Sequence, residues 1–329
     1  MLRETIKLDM NEVPYLPPHE VMEAAHRGLS RLNRYSDPQD LERLRELLAD
    51  YSRVAKENVI LGPGSDLLLR EMIHTLAEGR KVIMVSPSFF PTVQAAKQLA
   101  TERLSIRLSP PTFDLNLDLL VNALAEPSLV IIDNPNNPTG KTLLDRHKVE
   151  AVIGNRDSLL VIDEAYYEFS GLTFADMVQD CRNLAITRTL DKAFSLAGAR
   201  VGYAIAGKAF LDALSSFYAF LPQCSLYAAI EALKNPGYIT RNVQRVIEER
   251  DRVRRTLDQL GAHVYQSNAN FLLVRTEIPD AVSKLAEIGI LVSDLSNQMP
   301  PGFIRVSMGT REENDAFISG YVRIREAYE

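Results

Sequence analysis

Four short apolar runs, KVIMV (81–85), SLVIID (128–133), SLLVID (158–163) and NLAITRT (183–189), recur along the middle of the chain with helical patterns between them. They are rich in Val, Ile and Leu and do not alternate strictly with polar residues. Strands of that kind need cover on both faces, the condition of a mainly parallel sheet between helical layers. Outside the runs, apolar residues repeat at helical spacing. Leu41, Leu44, Leu47 and Leu48 line one face, and Leu68, Leu69, Met72, Ile73 and Leu76 line another. This alternation predicts an α/β fold, with a ligand site outside the carboxyl ends of its strands.

The pattern changes after about residue 220. Pro236 to Leu260, GYITRNVQRVIEERDRVRRTLDQL after the proline, reads as one long amphipathic helix joining two domains, its charges a solvated face. Beyond it, AHVYQ (262–266), NFLLV (270–274), GILV (289–292) and FIRVSM (303–308) read as short strands, with helices at 279–288 and 311–327. We therefore expect a large domain over 31–235 and a smaller α+β domain over 236–329. The segment 1–30, with Pro14, Pro17 and Pro18, is expected to run extended, enter a helix at 18–32 and pack on the small domain. There is no internal repeat and no low-complexity stretch.

A length of 329 residues fits about two domains. The formal net charge of −6 gives no basic surface for nucleic acid or an anionic membrane. Apolar runs such as LLVI (159–162) fall far short of the roughly 20 residues that span a bilayer. The polar start, MLRETIKLDMNE, lacks the apolar core of a secretory signal. Cys181 and Cys224 have no framework spacing and read as reduced thiols. The 5 histidines include no pair at metal-ligand spacing. A cytoplasmic, metal-free protein is expected.

The chemistry gathers around Lys192, in ITRTLDKAFSLAGARVGY, with Arg200 eight residues on and small residues between. The plain alternative for any single lysine is a solvated surface side chain. Here Lys192 follows a strand end, Arg200 can grip a phosphate bidentately, and Gly198 and Gly202 suit a close backbone approach. Asp163 closes a very apolar strand, and a buried carboxylate needs a partner; otherwise it caps the strand. Tyr166, three residues on, offers a phenol or is simply a packed aromatic. NPNNPTG (134–140) is a turn in which Pro138 fixes the amide of Asn137. LGPGSD (61–66) opens a helix at 66–77, where the N–H groups of Gly64, Ser65 and Asp66 can hold an anion. SPSFF (86–90) places Phe89 either flat on a ligand ring or in the core. A lysine, an acid, a phenol, an amide and an arginine beside an anion cup suit one cofactor, pyridoxal 5′-phosphate. Its aldehyde is held by a lysine as a Schiff base and its pyridine nitrogen by an acidic partner.

Together these segments resemble the fold-type I pyridoxal-phosphate enzymes, and within them the histidinol-phosphate aminotransferase family. The resemblance runs from LDMNEVPY (8–15) and NRYSDP (33–38) through GPGSD, NPNNPTG, DEAYYEF and RTLDKAFSLAGARVGY to NFLLVR (270–275) and IRVSMGTREEN (304–314). It implies Lys192 as the lysine that holds the cofactor and shuttles the proton. It makes Asp163 the partner of the pyridine nitrogen and puts Asn137 and Tyr166 on the ring oxygen. Ser65, Asp66, Thr189 and Arg200 cradle the phosphate in this reading. Arg305 holds the acidic end of the substrate, with Tyr15 and Asn137 beside it. Tyr35 reaches the cofactor phosphate of a second copy, which implies a homodimer with shared active sites. The implied reaction takes L-histidinol phosphate and 2-oxoglutarate, by ping-pong amino transfer, to imidazole-acetol phosphate and L-glutamate.

Three positions depart from the pattern. Asp191 stands where a hydroxyl residue usually precedes the lysine, and a carboxylate there repels a phosphate unless turned away, which is the expectation. Phe89 replaces a stacking tyrosine. Ser293, in GILVSDL, stands where an arginine often meets the substrate phosphate; such a contact is worth roughly 1.5–3 kcal/mol. Its absence encourages an aromatic amino-acid aminotransferase as the second reading; a phosphothreonine decarboxylase, which shares much of the scaffold, is the third. A cofactor-binding regulator would call for a DNA-binding module or basic arm, and a nicotinamide dehydrogenase for a GxGxxG turn after a strand. Neither is present in the sequence.

Overall fold

The computed structural model describes residues 5–218 and 220–328. Its strands in chain order are β1 (Ile6–Leu8), β2 (Val59–Gly62), β3 (Lys81–Ser86), β4 (Arg103–Arg107), β5 (Ser128–Asp133) and β6 (Leu159–Asp163). After them come β7 (Leu184–Thr189), β8 (Gly202–Ala206), β9 (His263–Val264), β10 (Phe271–Arg275), β11 (Ile290–Asp294) and β12 (Phe303–Ser307). A 7-stranded sheet has the order β2-β8-β7-β6-β5-β3-β4, and a 5-stranded sheet the order β1-β11-β12-β10-β9.

The large sheet is parallel except for β8, which pairs antiparallel with both β2 and β7. Every residue of β5, β6 and β7 is buried, as their unbroken apolar runs require. One face packs on the main core. The other meets the helix Ser65–Leu76 through Leu68, Leu69, Met72 and Ile73, forming a second core cluster with Val82, Leu129, Val161 and Ala204. Register places Asp133 beside Asp163 and Asp163 beside Thr187 at the carboxyl ends of neighbouring strands. The loops SPSFF, NPNNPTG, DEAY and TLDK therefore leave from one edge of the layer.

The long helix runs Gly237–Gln259 and leads into the smaller α+β unit. Its polar stripe is not uniformly solvated. Glu249 and Arg250 are buried, the first held by Arg252 and Asn314 and the second by the Ala269 carbonyl at 3.0 Å. The amino-terminal segment divides between the two units. Strand β1 adds in parallel to β11, at the edge of the small sheet. The following helix, His19–Leu29, instead lies against the helix Gln223–Lys234, so the segment does not pack on the small unit as a whole.

Candidate active site

Lys192 follows β7 by three residues, in a turn closed when Leu190 N–H donates to the Val201 carbonyl at 2.8 Å. Its Nζ donates to the Met10 carbonyl at 3.1 Å, so the amino-terminal segment covers it. Burial, and next the positive charge of Arg305, bring its pKa down to about 8. Glu12, Asp163 and Asp66 oppose that fall and are close enough to be felt. The side chain is thus a lysine with ready access to its neutral form.

Asp163 ends β6 and is buried, accepting from Thr187 Oγ1 at 2.9 Å. Desolvation raises its pKa to about 7, and the neighbouring Asp133 adds to the rise. A carboxylate in that condition is stabilised by any cation that reaches it. Tyr166 Oη accepts from Asn137 Nδ2 at 3.4 Å and from Asn11 Nδ2 at 2.9 Å. Burial pushes the phenol up to about 12, so its proton stays on at neutral pH and remains available to donate.

Asn137 joins this pair to the small unit, its Oδ1 accepting from Arg305 Nη1 at 2.6 Å. Arg305 lies in the middle of β12, and its Nη2 donates to the Asp9 carbonyl at 2.5 Å. Burial lowers its pKa, and its Nε is enclosed without a hydrogen-bond partner among the described residues. Ser293 faces Arg305 directly across the β11–β12 ladder. Directly opposed residues of an antiparallel pair project to the same face, so residue 293 shares the face of the sheet that Arg305 serves.

The anion cup is assembled where the helix Ser65–Leu76 begins. Its opening N–H groups have no carbonyl within the helix to bond, and the helix dipole makes that end favourable for negative charge. Gly64 sits at φ +100°, a conformation side chains rarely adopt, and a Cβ there would overlap Arg200 and Asp66. A Cβ on Gly202 would lie 2.3 Å from Ser65 N, so β8 reaches the cup only as glycine. Thr189 is buried and its hydroxyl serves its own turn, accepting from Asp191 N at 3.0 Å.

Asp191 is not turned away. Its Oδ2 pairs with Arg200 Nη1, while Arg200 Nη2 pairs with Asp66 Oδ1. The reason is local: Arg200 takes a left-handed backbone (φ 54°) as the chain turns into β8, and this brings its guanidinium back onto the loop after β7.

Phe89 caps the helix Phe90–Leu99, with a half-exposed ring that has no aromatic partner among the described residues. Tyr15 is half-buried, 5.4 Å beneath the Arg245 guanidinium, and shares no hydrogen bond with Lys192 or Arg305 among the described residues. Tyr35 is 80% exposed with its ring on Phe220 at 4.7 Å. It is therefore outside the group that surrounds Lys192 in this chain.

Two residues that sequence reasoning passed over organise the site. Asp133 accepts from Ser88 Oγ (2.9 Å), Phe89 N (3.2 Å), Asn136 Nδ2 (2.9 Å) and Asn137 N (2.7 Å), tying SPSFF to NPNNPTG. Its position as the polar end of SLVIID, equivalent to Asp163 in SLLVID, was the available signal. Asn11 is buried with φ 54°, bonded to Tyr166, Ser307 and Asn270. Deeper still, Glu164 and Arg188 form a buried pair at 2.9 Å that anchors the DEAY turn to β7.

A half-buried lysine of lowered pKa, a desolvated carboxylate, a phenol–amide pair and an anion cup, on this two-sheet architecture, are the features of the class I and II aminotransferases. The family model for aminotransferase class I and II matches residues 3–320. The chain is 36% identical over 326 residues to the histidinol-phosphate aminotransferase of Sulfurisphaera tokodaii, covering 96% of this chain and 89% of that one. It is 35% identical over 324 residues to that of Thermoanaerobacter pseudethanolicus, covering 95% and 91%. It belongs to the histidinol-phosphate aminotransferase family, within the fold-type I enzymes. The fold superimposes on the Sinorhizobium meliloti histidinol-phosphate aminotransferase, solved in complex with pyridoxal-5′-phosphate, with TM-score 0.88 and 23% identity over 99% of this chain and 93% of that one. It also superimposes on the L-threonine-O-3-phosphate decarboxylase of Porphyromonas gingivalis, with TM-score 0.83 and 19% identity over 97% and 100%. The fold by itself does not separate transamination from decarboxylation.

Proposed function

We propose that the chain is a pyridoxal 5′-phosphate-dependent histidinol-phosphate aminotransferase that passes the amino group of L-histidinol phosphate to 2-oxoglutarate. The observation that carries the reading is the grouping of Lys192, depressed to a pKa of about 8, with Arg305 and Asp163. Family membership supports the amino-transfer class. The residues fit the cofactor: the desolvated Asp163 carboxylate has no ion-pair partner among the described residues, and the buried Nε of Arg305 is a donor without an acceptor among them.

When bound, the cofactor supplies an electron sink and a carbonyl carbon that exchanges nitrogen with substrates. The chain supplies the rest. Lys192 would hold the cofactor through its Nζ and, in its neutral form, would take the α-proton of an amino donor and return it. Asp163 would pair with the pyridine nitrogen and keep it protonated. Tyr166 and Asn137 would hold the ring oxygen, Phe89 would cover the ring, and the cup of Gly64, Ser65, Asp66, Thr189 and Arg200 would take the phosphate. Arg305 meets a carboxylate in one half-reaction and the acidic end of the phosphorylated donor in the other, a task suited to a planar guanidinium. Tyr15 closes the substrate side. Tyr35 serves the second copy of a homodimer; exposed Tyr35, Tyr218 and Phe220, stacked in a row, support such a face.

Ser293 opposite Arg305 favours one second reading, an aromatic amino-acid aminotransferase, whose donor needs no second cation. The test is to mix cofactor-loaded protein separately with histidinol phosphate, phenylalanine, tyrosine, glutamate and phosphothreonine. The rate of conversion to the pyridoxamine form is then followed by absorbance. Histidinol phosphate should be the fastest donor besides glutamate. Faster conversion by phenylalanine or tyrosine overturns the assigned donor, and release of carbon dioxide from phosphothreonine overturns the reaction type.

A further inference from the structure

We propose that Asp191 weakens this chain's hold on the cofactor phosphate by competing with it for Arg200, so that bound cofactor exchanges with solution. The inference rests on the pyridoxal-phosphate reading above and concerns a residue at which the chain departs from its family's usual pattern. Arg200 is the arginine placed at the cup among the described residues, and both of its Nη atoms are already engaged, one by Asp191 and the other by Asp66.

The two carboxylates are not equivalent. Asp66 stands in the first turn of the helix Ser65–Leu76, where the dipole favours a negative charge, and its side chain is 36% exposed. Asp191 has no such support and its side chain is only 9% exposed. Its Oδ1 is enclosed without any hydrogen-bond partner among the described residues. An enclosed carboxylate oxygen accepts only, and a phosphate oxygen also accepts, so the two cannot satisfy each other.

Charge makes the same point. One guanidinium and two carboxylates sum to a negative cup before a phosphate dianion enters it. Entry of the dianion therefore requires Arg200 to exchange the Asp191 carboxylate for a phosphate oxygen, and it leaves Asp191 beside a like charge in a poorly solvated place. A hydroxyl at the same position would donate to the phosphate and leave the Arg200 fork free. Phosphate binding must therefore break the Arg200–Asp191 pair, which lowers the cofactor's net advantage.

Asp191→Asn removes the charge with little change of shape, and Asp191→Ser restores a hydroxyl. Apoprotein of each is titrated with pyridoxal 5′-phosphate, following the visible absorbance of the lysine-bound cofactor, and separately with pyridoxal, which lacks the phosphate. Both variants should bind pyridoxal 5′-phosphate at least tenfold more tightly than the parent, equivalent to about 1.4 kcal/mol, and release it more slowly on gel filtration. Pyridoxal binding should change less than twofold. Unchanged or weaker phosphate-form binding in both variants overturns the inference while leaving the cofactor assignment intact. An equal gain for pyridoxal also overturns it, since the effect would then not pass through the phosphate. Failure of the parent to take up either aldehyde on Lys192 overturns the cofactor reading and the inference together.

Discussion

Replacing Asp163 with asparagine should stabilise the apoprotein in a pH-dependent way while disabling the enzyme. Burial lifts the carboxyl from 3.8 to about 7. The folded chain therefore binds this proton more tightly than the unfolded chain does. The contribution to stability is fully present below the unfolded value and is lost as pH rises through the folded value. Each tenfold in proton affinity is about 1.4 kcal/mol, so the loss by pH 8 is roughly 4 kcal/mol. Asparagine keeps an oxygen for the Thr187 hydroxyl and does not titrate. Variant and parent should then differ by roughly 0.5 kcal/mol at pH 4, by roughly 1.5 kcal/mol at pH 5 and by roughly 4 kcal/mol at pH 8, with the variant more stable. Asp133 is coupled to Asp163 and takes a share of the same change. Equilibrium urea unfolding of the two apoproteins, at one protein concentration across this pH range, reads the difference. Saturating cofactor should narrow the gap, because only the aspartate gains an ion pair with the ring nitrogen. A stability difference that is the same at pH 4 and pH 8, or absent at pH 8, refutes the reasoning.

Arg305→Lys should raise KM for both substrates by roughly ten- to a hundredfold, because an ammonium cannot keep the Asn137 bond and fork onto an acid group together; steady-state kinetics with each substrate checks this. Asp133→Asn turns one of two acceptor oxygens into a donor that faces existing donors. Turnover should fall at least tenfold, on the order of 1.4 kcal/mol or more, and thermal unfolding should occur earlier; near-parental values in both assays would count against its organising role. The rate at which apoprotein captures the cofactor should climb between about pH 7 and 9 and level off above that. The neutral Lys192 amine becomes available through a pKa of about 8, and stopped-flow absorbance would expose a flat profile.

The central strands of the large sheet were legible because β5, β6 and β7 are covered on both faces and so carry unbroken apolar runs. Strand β4, RLSIR, was not, since four of its five residues are exposed on a sheet edge and carry no apolar run. Strand β8 hides behind the left-handed turn at Arg200 and opens on a glycine. Its antiparallel direction cannot be read from its own residues. In the small unit AHVYQ contributes only His263 and Val264 to a strand. The site divides in the same way. Lys192, Asp163, Asn137 and Tyr166 sit in short segments whose residue types already suggest the chemistry. Asn11 works through bonds to residues 155 and 296 positions away, and nothing near it in sequence announces them. The Asp191–Arg200 pair was missed because its partners meet only when the intervening loop doubles back.

Borohydride reduction of the protein incubated with pyridoxal 5′-phosphate, followed by peptide mapping, goes straight to the amine on which the assignment depends. The reduced pyridoxyl group should be found on Lys192 alone, in the peptide that carries TLDKAFSLAGAR, and should vanish in Lys192→Ala. Label on a different lysine, or no label at all, would contradict the assignment of this site.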